Sequence, residues 1–346
     1  MPVHPSLCLL QVVCCGVIGQ AEVQRREPLK ALVAGGAGFI GSHLCAALLE
    51  RGDTVLCVDN LATSPRGNVE VLQRHDRFSF LEHDVCEPLD ETIEADLVFH
   101  LASPASVPDY LARPLETLRV NSQGTWRLID LARRQGARFL FASTSEIYGD
   151  PEVHPQTETY WGNVNSIGPR ACYDESKRFG EALLTSAVRA QGLDGRLVRI
   201  FNTYGPHSRP GDGRVMPNFM MAALRREPIT IYGTGMQTRS FCYVSDMVAG
   251  LMAAMLETNT SGEVFNLGNP HEITMLGLAG IVAEHLGSDA GVVFHPLPVD
   301  DPMKRKPDIS KAQRCLGWSP RIELDEGVAQ TAKWFQRLIG VPSSVA

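Results

Sequence analysis

The chain has 346 residues, of which 44% are apolar and 21% are charged, and its formal net charge is -7. These values are typical of a globular protein with one large domain or two closely joined ones. The basic residues are scattered along an acidic chain, which argues against nucleic acid as the main partner. The nine cysteines are odd in number and form no CxxC pair, so neither a metal site nor a complete disulfide framework is indicated.

The N-terminal region carries an uncharged and mostly apolar stretch at residues 6–21, SLCLLQVVCCGVIGQA. Such a stretch is similar to the apolar part of a signal peptide or to a marginal membrane anchor. However, no Lys or Arg precedes it, and Gln11 and Gly16 interrupt it. We therefore predict that residues 1–29 are an extension, disordered or a mis-started leader, on a cytoplasmic protein; anchoring through residues 6–21 is the alternative.

Strands and helices alternate from residue 29 onward. Leu29–Ala34 is an apolar run that ends in glycines, Phe39–Arg51 has helical apolar spacing, and Asp53–Asp59 is a second strand, so the opening is β-α-β. The same alternation predicts strands at Phe78–His83, Leu97–Leu101, Phe139–Ser143 and Leu197–Phe201, and helices near Leu115–Gln135 and Tyr173–Gln191. This order is typical of an α/β fold with a Rossmann doubly wound parallel sheet.

The second half of the chain is less regular and begins with a Gly/Pro-rich stretch at residues 204–214. Helices are predicted near Asn218–Arg226, Met275–Leu286 and Asp325–Leu338, and strands at Ile229–Tyr232 and Val264–Leu267. We expect a Rossmann domain over residues 30–202 and 240–270. A smaller C-terminal substrate-binding lobe would then cover residues 203–239 and 271–338.

A glycine-rich loop joins the first strand to the first helix, with glycines at positions 35, 38 and 41. Without Cβ atoms these residues let the backbone turn tightly and approach a pyrophosphate at the helix N-terminus. Asp59 ends the second strand about 20 residues later, where a carboxylate can bind a ribose and repel a 2′-phosphate. The loop and the acid together predict NAD as the cofactor, although either could be an ordinary turn when taken alone.

Tyr173 and Lys177 are four residues apart and so share one face of a predicted helix. A free tyrosine has a pKa near ~10, and a fixed lysine cation favours its phenolate. The YxxxK pattern alone is common on solvated helix faces, but after a Rossmann opening it indicates hydride transfer. Thr144, Ser145 and Glu146 follow a strand at the same edge of the sheet, unless they merely cap the next turn.

Several stretches together resemble the extended short-chain dehydrogenase/reductase family of NAD-dependent epimerases and dehydratases, over residues 30 to 335. Those stretches are GGAGFIGSH, HDVCEPL, HLASPAS, ASTSEIYGDPEVHPQ, GPRACYDESKR, FNTYGP, GDGRV, YGTGMQTRSFCYVSD, and RKPDI with LGW. Within that family the chain is most similar to the group that decarboxylates UDP-glucuronate. Sugar-nucleotide 4,6-dehydratases carry Thr-Asp-Glu where this chain has Thr144-Ser145-Glu146, and epimerases lack the glutamate.

The resemblance implies a carboxy-lyase that converts UDP-glucuronate to UDP-xylose and CO2. The sugar would be oxidised at C4 by recycled NAD, would lose its C5 carboxylate, and would then be reduced again. The alternatives are a 4,6-dehydratase or 4-epimerase on the same fold, a product released as the 4-keto pentose, and a catalytically silent NAD-sensing regulator.

The resemblance also implies roles for individual residues. The predicted catalytic residues are Tyr173, Lys177, Glu146, Thr144, Ser145 and Arg305, the last of which would assist decarboxylation or C5 protonation unless it lies in a solvated basic turn. The predicted cofactor-binding residues are Gly35, Gly38, Phe39, Ile40, Asp59, Asn60, Asp84, Val85, Leu101, Ala142, Tyr173, Lys177, Thr203 and Arg214. The predicted residues for the UDP-sugar are Arg119, Asn202, Tyr232, Arg239 and Arg305.

Three positions depart from the pattern of this group. Ala34 stands where threonine is usual, Ser176 where glycine is frequent, and His207 where arginine is common. None of them removes a group that the chemistry requires. Related enzymes pair their subunits through two long helices, so the resemblance also implies a homodimer formed by Leu115–Gln135 and Tyr173–Gln191.

Overall fold

The computed structural model describes residues 27–297 and 304–340. The apolar segment at residues 6–21, and all of the predicted extension up to residue 26, lie outside this range. Among the helices in the described ranges, none is long and apolar enough to cross a membrane.

The alternation of strands and helices predicted for the first 200 residues is confirmed, and the rest of the described chain combines short strands with longer helices. The strands are β1 (Lys30–Ala34), β2 (Thr54–Asp59), β3 (Phe78–Glu82), β4 (Leu97–His100), β5 (Arg138–Thr144), β6 (Gly195–Ile200), β7 (Thr203–Tyr204), β8 (Ile229–Tyr232), β9 (Thr238–Ser240), β10 (Cys242–Tyr243), β11 (Val264–Leu267), β12 (Glu272–Thr274), β13 (Val292–His295) and β14 (Lys304–Arg305). The helices are α1 (Phe39–Arg51), α2 (Gly67–Glu70), α3 (Val107–Ala112), α4 (Pro114–Arg119), α5 (Thr125–Gln135), α6 (Ala171–Gln191), α7 (Val215–Leu224), α8 (Val244–Leu256), α9 (Met275–Leu286), α10 (Ser310–Leu316) and α11 (Leu324–Ile339).

A seven-stranded parallel sheet with the order β3-β2-β1-β4-β5-β6-β11 forms the centre of the molecule. The predicted doubly wound sheet is therefore confirmed. The strand order reverses between β1 and β4, and the loops that follow these two strands diverge to opposite sides. Such a switch point leaves a crevice at the carboxyl edge of the sheet, which is where folds of this type bind ligands.

Both faces of the sheet are covered, because successive side chains of a strand point in opposite directions. In β1, Ala31 and Val33 belong to the apolar core beneath α1 and α8, whereas Leu32 and Ala34 belong to the core beneath α5 and α6. Helix α6 lies very close to the sheet, since a Cβ atom on Gly180 would lie 2.4 Å from Cζ of Phe141. This close packing brings the YxxxK helix next to the end of β5.

The helix predicted near Leu115–Gln135 is confirmed, since helical backbone continues from Pro114 to Gln135, but its hydrogen bonding is not α-helical throughout. A π-helical turn, Val120–Gly124, separates α4 from α5. Within it Asn121 is fully buried and donates from Nδ2 to the Thr117 carbonyl at 3.1 Å and to Ser176 Oγ at 3.1 Å. Insertion of a buried polar side chain of this kind widens a helix locally, and such turns recur at functional sites.

The smaller strands assemble beside the carboxyl edge of the central sheet. Strand β9 pairs antiparallel with β12 and parallel with β14, which sets Arg305 opposite Arg239. Helices α7, α9 and α11 pack around these strands. Helix α10 instead packs on β11 and α8 of the Rossmann part, although it lies inside the range predicted for the lobe. The domain boundaries therefore stay a prediction.

Candidate active site

A cavity of about 1190 Å³ opens at the carboxyl edge of the sheet, between the Rossmann part and the smaller strands. Every site residue predicted from the sequence lines this cavity, including the glycine loop, Tyr232, Arg239 and Arg305. Typical sites for a drug-sized ligand measure roughly 300–1,000 Å³. The cavity is therefore large enough for a dinucleotide together with a second ligand.

The glycine loop requires glycine at its two ends. Gly35 has a φ of +79°, and a Cβ atom on it would lie 2.6 Å from the backbone nitrogen of Ala102. A Cβ atom on Gly41 would lie 2.1 Å from the carbonyl oxygen of Gly35. The loop therefore folds tightly on itself and on the segment after β4, and it presents the uncapped start of α1 at Gly38 to the cavity.

Asp59 ties the glycine loop to the end of β2. Its Oδ2 accepts from the Ala37 backbone at 3.1 Å and from Ser64 Oγ at 3.1 Å, and its Oδ1 accepts from the Leu61 backbone at 2.8 Å. Burial raises the pKa of this carboxyl, whereas the backbone hydrogen bonds lower it. The glycine cradle and a buried acid beside it on the cavity wall fit the diphosphate and the adenosine ribose of a dinucleotide.

Lys177 and Tyr173 lie side by side under the end of β5. Lys177 Nζ donates to the Ala142 carbonyl at 2.8 Å and lies 5.9 Å from the centroid of the Tyr173 ring. Burial lowers the pKa of Lys177 to about 7, although Glu181 raises it. Burial raises the pKa of Tyr173 to about 12, although a hydrogen bond with Thr144 lowers it. Tyr173 can therefore act as a base only when positive charge is brought next to its hydroxyl.

Glu146 is held by two arginines, Arg305, which is buried, and Arg170, which is partly exposed. Arg305 binds it with both terminal nitrogens, Nη2 at 3.1 Å from Oε2, and Arg170 donates to the same carboxylate. Burial would raise the pKa of Glu146, but Arg305, Arg170 and Arg239 hold it at about 2. Glu146 is therefore ionised at neutral pH and carries no proton to donate.

Two residues that were not predicted from the sequence, Arg170 and Tyr110, also line this end of the cavity, and Asp174 is buried next to them. Arg170 immediately precedes α6, Tyr110 stacks on Tyr173 with ring centroids 5.0 Å apart, and Asp174 is buried beside both. Burial, followed by the negative charge of Glu146, raises the pKa of Asp174 to about 7, although Arg170 and Arg305 lower it. Arg170 could have been found from its place three residues before Tyr173, whereas no local pattern marks Tyr110.

Two predicted residues lie away from this reactive end. Arg119 forms an ion pair with Glu87, in the part of the cavity that Asp84 and Val85 also line. Tyr232 is half-exposed at the end of β8. The two therefore lie toward the ends of the cavity, where the outer parts of extended ligands would reach.

The departures from the pattern are accommodated locally. Ala34 is buried in β1. Ser176 donates to the Tyr173 carbonyl at 2.9 Å and accepts from Asn121, so its hydroxyl ties the YxxxK helix to the π-helical turn. The ring of His207 lies 4.8 Å from that of His43, and burial lowers the pKa of His207 to about 4. His207 is therefore neutral near pH 7 and does not supply the positive charge that arginine would bring.

Nothing in the described ranges suggests a structural metal, because no group of three or more His, Cys, Asp or Glu side chains is placed to hold an ion there.

Replacing Gly41 with alanine tests the glycine cradle. Because the new Cβ would lie 2.1 Å from the Gly35 carbonyl, the loop must shift, and we expect NAD affinity to fall at least about tenfold, or ~1.4 kcal/mol. Gly280→Ala is the matched control, since its Cβ meets nothing within 4 Å inside α9; it should bind NAD normally and gain about 0.5–1 kcal/mol of stability. NAD affinity is measured by calorimetry. Equal affinity in both variants would contradict the assignment of the glycine loop as the NAD-binding loop.

The ion cluster predicts a pH-dependent contribution of Glu146 to stability. Its folded-state pKa of about 2 lies below the ordinary 4.5, so the stabilisation is fully present above pH 4.5 and is lost as the pH falls toward 2. At neutral pH, Glu146→Gln should cost about 3 kcal/mol in the free energy of urea unfolding, and this cost should shrink below pH 4.5.

The exposed Glu91, whose side chain is 89% accessible, provides the control for this measurement. Glu91→Gln should change the free energy of unfolding by less than about 0.5 kcal/mol at any of these pH values. A cost of Glu146→Gln that stayed constant from pH 7 to pH 3 would show that the carboxylate is not held by the arginines.

Solved structures share this architecture. The UDP-glucose 4-epimerase of Thermotoga maritima, determined with UDP-glucose, matches with a TM-score of 0.81 and 32% identity over 90% of this chain and 100% of that one. The UDP-glucuronic acid 4-epimerase of Bacillus cereus, determined with UDP-glucuronic acid and NAD, matches with a TM-score of 0.81 and 28% identity over 90% of this chain and 100% of that one.

Sequence relatives are more similar than these structures. A UDP-glucuronic acid decarboxylase of Arabidopsis thaliana is 51% identical over 91% of this chain and 70% of its own length. One of Xenopus tropicalis is 48% identical over 91% of this chain and 74% of its own length. The profile of the NAD dependent epimerase/dehydratase family matches residues 31–268. The chain therefore belongs to the NAD dependent epimerase/dehydratase family.

Proposed function

We propose that this protein decarboxylates UDP-glucuronate to UDP-xylose and CO2, using an NAD that is recycled within each turnover. The observation that carries the proposal is Glu146, clamped by Arg305 and Arg170 in the same cavity as Tyr173 and Lys177. This arrangement concentrates cations for a sugar acid beside a hydride-transfer pair. The relatives with about half of their residues identical are named for this reaction.

The cavity offers separate positions for the parts of the two ligands. Backbone groups of the glycine loop would hold the NAD diphosphate, and Asp59 would hold the adenosine ribose. Arg239 and Asn202 would bind the UDP diphosphate, since guanidinium groups suit phosphate oxygens. The sugar would then lie between Thr144 and Tyr173, with its carboxylate toward Arg305.

The reaction begins with oxidation of the sugar at C4. NAD, when bound, accepts the C4 hydride and returns it at the end of the cycle. Tyr173 takes the proton of the C4 hydroxyl, and Lys177 next to it stabilises the phenolate. Thr144 and Ser145 would donate hydrogen bonds that orient the sugar. Burial keeps Tyr173 protonated, so Tyr173 would become a base only when the protonated form of Lys177 and an oxidised nicotinamide supply positive charge beside it.

Loss of CO2 follows from the position of the new ketone. The carboxylate is β to C4, so the C5–C6 electrons move into an enolate when CO2 departs. A proton that enters from solvent then adds to C5 in place of the lost carboxylate, and Tyr173 gives the proton that it took from the C4 hydroxyl back to the C4 oxygen in the final reduction. Glu146 is ionised and so would position the sugar and oppose the substrate carboxylate rather than donate a proton. Arg305 would balance the charge that moves from carboxylate to enolate.

The 4-epimerase and 4,6-dehydratase alternatives draw on the likeness of the fold to solved enzymes that are 27–32% identical. This chain has Ser145 at the position of the aspartate that a 4,6-dehydratase uses to expel water. The relatives with about half of their residues identical are named as decarboxylases. A silent NAD-sensing regulator would have no need for Tyr173, Lys177 and Glu146 in one cavity.

The proposal is tested with purified protein, UDP-glucuronate and catalytic NAD, by following CO2 release and the UDP-pentose by NMR. Tyr173→Phe should lower turnover by at least about 10²–10⁴-fold while NAD binding is retained. Tyr160→Phe, which changes a tyrosine outside the cavity, should leave turnover unchanged. Near-normal turnover of Tyr173→Phe, or a 4-keto pentose with stoichiometric NADH from the unaltered protein, would overturn this assignment.

We also propose a homodimer that forms through α4, α5 and α6. These helices leave Leu118, Trp126 and Phe179 exposed, and Trp126 and Phe179 line one shallow depression. Exposed aromatic clusters of this kind mark interaction surfaces. The cytoplasmic location stays a prediction.

A charge placed on this surface tests the dimer. Because a second copy would bury Phe179, we expect Phe179→Glu to give a monomer at micromolar concentration in sedimentation experiments, with folding preserved. Val71→Asp, at an exposed apolar residue on another face, is the control and should remain dimeric. A Phe179→Glu protein that sediments as the unaltered chain does would place the interface elsewhere.

A further inference from the structure

Tyr110 is a buried phenol on the cavity wall whose hydroxyl the proposed mechanism does not use. The side chain is 1% exposed, and the residue lines the cavity. Within residues 27–297 and 304–340 its hydroxyl has no hydrogen-bond partner. Since buried hydroxyl groups in folded proteins are almost always paired, an unpaired hydroxyl at a cavity wall points to a ligand.

The fold fixes the position of Tyr110 firmly. It lies on α3, in the segment that follows the carboxyl end of β4. Ser106 caps this helix by accepting from the Asp109 backbone, and Asp109 accepts from Arg209 with both oxygens, at 2.8 and 2.7 Å. The Tyr110 carbonyl accepts from Cys172 Sγ at 3.7 Å. These contacts hold the backbone of α3, and burial together with the stack on Tyr173 holds the ring.

The surroundings of Tyr110 are those of the reactive end. Its ring is parallel to that of Tyr173, with an interplanar angle of 5°. The charged groups that act on it are Arg170, Glu146 and Asp174. Burial raises its pKa, so it keeps its proton throughout the neutral range and can only donate or accept as an O–H group. Glu146 already has two arginine partners, which leaves the Tyr110 hydroxyl available to a ligand.

We infer that Tyr110 donates a hydrogen bond to the carboxylate of a bound nucleotide-linked uronic acid and so selects an acid at this position of the sugar. This inference rests on the proposed function. The carboxylate is the group that the cations at this end would attract, and hydrogen bonds to charged acceptors are the strong ones. A neutral donor holds the carboxylate without further positive charge, and the bond ends when the carboxylate leaves as CO2.

Tyr110→Phe isolates the hydroxyl, because phenylalanine keeps the ring and its stack on residue 173. Binding is measured in the NAD-loaded Tyr173→Phe protein, in which turnover is blocked, with UDP-glucuronate and with UDP-xylose, which lacks the carboxylate. We expect Tyr110→Phe to weaken UDP-glucuronate binding about tenfold or more and to leave UDP-xylose binding within about twofold. Tyr243→Phe, which removes a buried hydroxyl outside the cavity, should change neither.

Equal weakening of both ligands, or no weakening of either, would overturn the inference. A second measurement uses 3-fluorotyrosine at position 110, which keeps the shape and donates more strongly, and it should tighten UDP-glucuronate binding without affecting UDP-xylose. This measurement decides the question if Tyr110→Phe loses NAD binding or fails to fold. If the proposed function is wrong, the unaltered enzyme will release no CO2 from UDP-glucuronate. If only the role inferred for Tyr110 is wrong, CO2 release will be intact and the binding measurements alone will disagree.

Discussion

The ion cluster of Glu146 with Arg305 and Arg170 is the interaction on which the site depends. Glu146 and Arg305 are 159 positions apart in the chain, yet two hydrogen bonds join the largely buried Glu146 to the buried Arg305. Removing charges from water is costly unless they are paired, so the cluster is stable only when β14 is docked on β9 and α6 begins where it does. The same contact therefore joins the two halves of the chain at the cavity wall and holds there the cations that would meet a sugar acid.

The parallel sheet supplies the other constraint. Because all seven strands run the same way, the residues that follow β1, β4, β5 and β6 meet at one edge. The glycine loop, Thr144 and Asn202 thereby line one cavity, although they are far apart along the chain. Helix α6 adds Tyr173 and Lys177 at that edge, since Gly180 allows it to approach Phe141 closely. Ser176 and Asn121 then link this helix to the π-helical turn.

Burial and the nearby arginines shift the pKa values of Tyr173, Lys177 and Glu146 in different directions, so the three side chains can play different roles. Burial raises the pKa of Tyr173 to about 12 and lowers that of Lys177 to about 7, while the arginines hold that of Glu146 at about 2. Tyr173 thus starts as an acid that needs charge to become a base, and Glu146 stays an anion. In the proposed reaction Tyr173 takes a proton from the C4 oxygen and later returns it, while the C5 carboxylate is exchanged for a proton from solvent. Such a reaction suits this set of groups, because each group ends the cycle in the protonation state in which it began.

The sequence alone determined the features that depend on neighbours along the chain. Strand and helix periodicity predicted the doubly wound sheet, and the glycines, Asp59 and the YxxxK pair indicated a dinucleotide and hydride transfer, since each of these signals lies within one β-α-β unit or one helical turn. Helix α8 was not predicted, because apolar residues cover most of its faces and leave no helical alternation of polar and apolar residues. Tertiary structure decided the rest. Tyr110 and Asn121 reach the neighbourhood of Tyr173 through packing between distant segments, and the buried Asn121 lies in the π-helical turn that the sequence did not predict. Arg305 was predicted only through resemblance; its contact with Glu146 exists because two short strands pair across the chain, which no local pattern records.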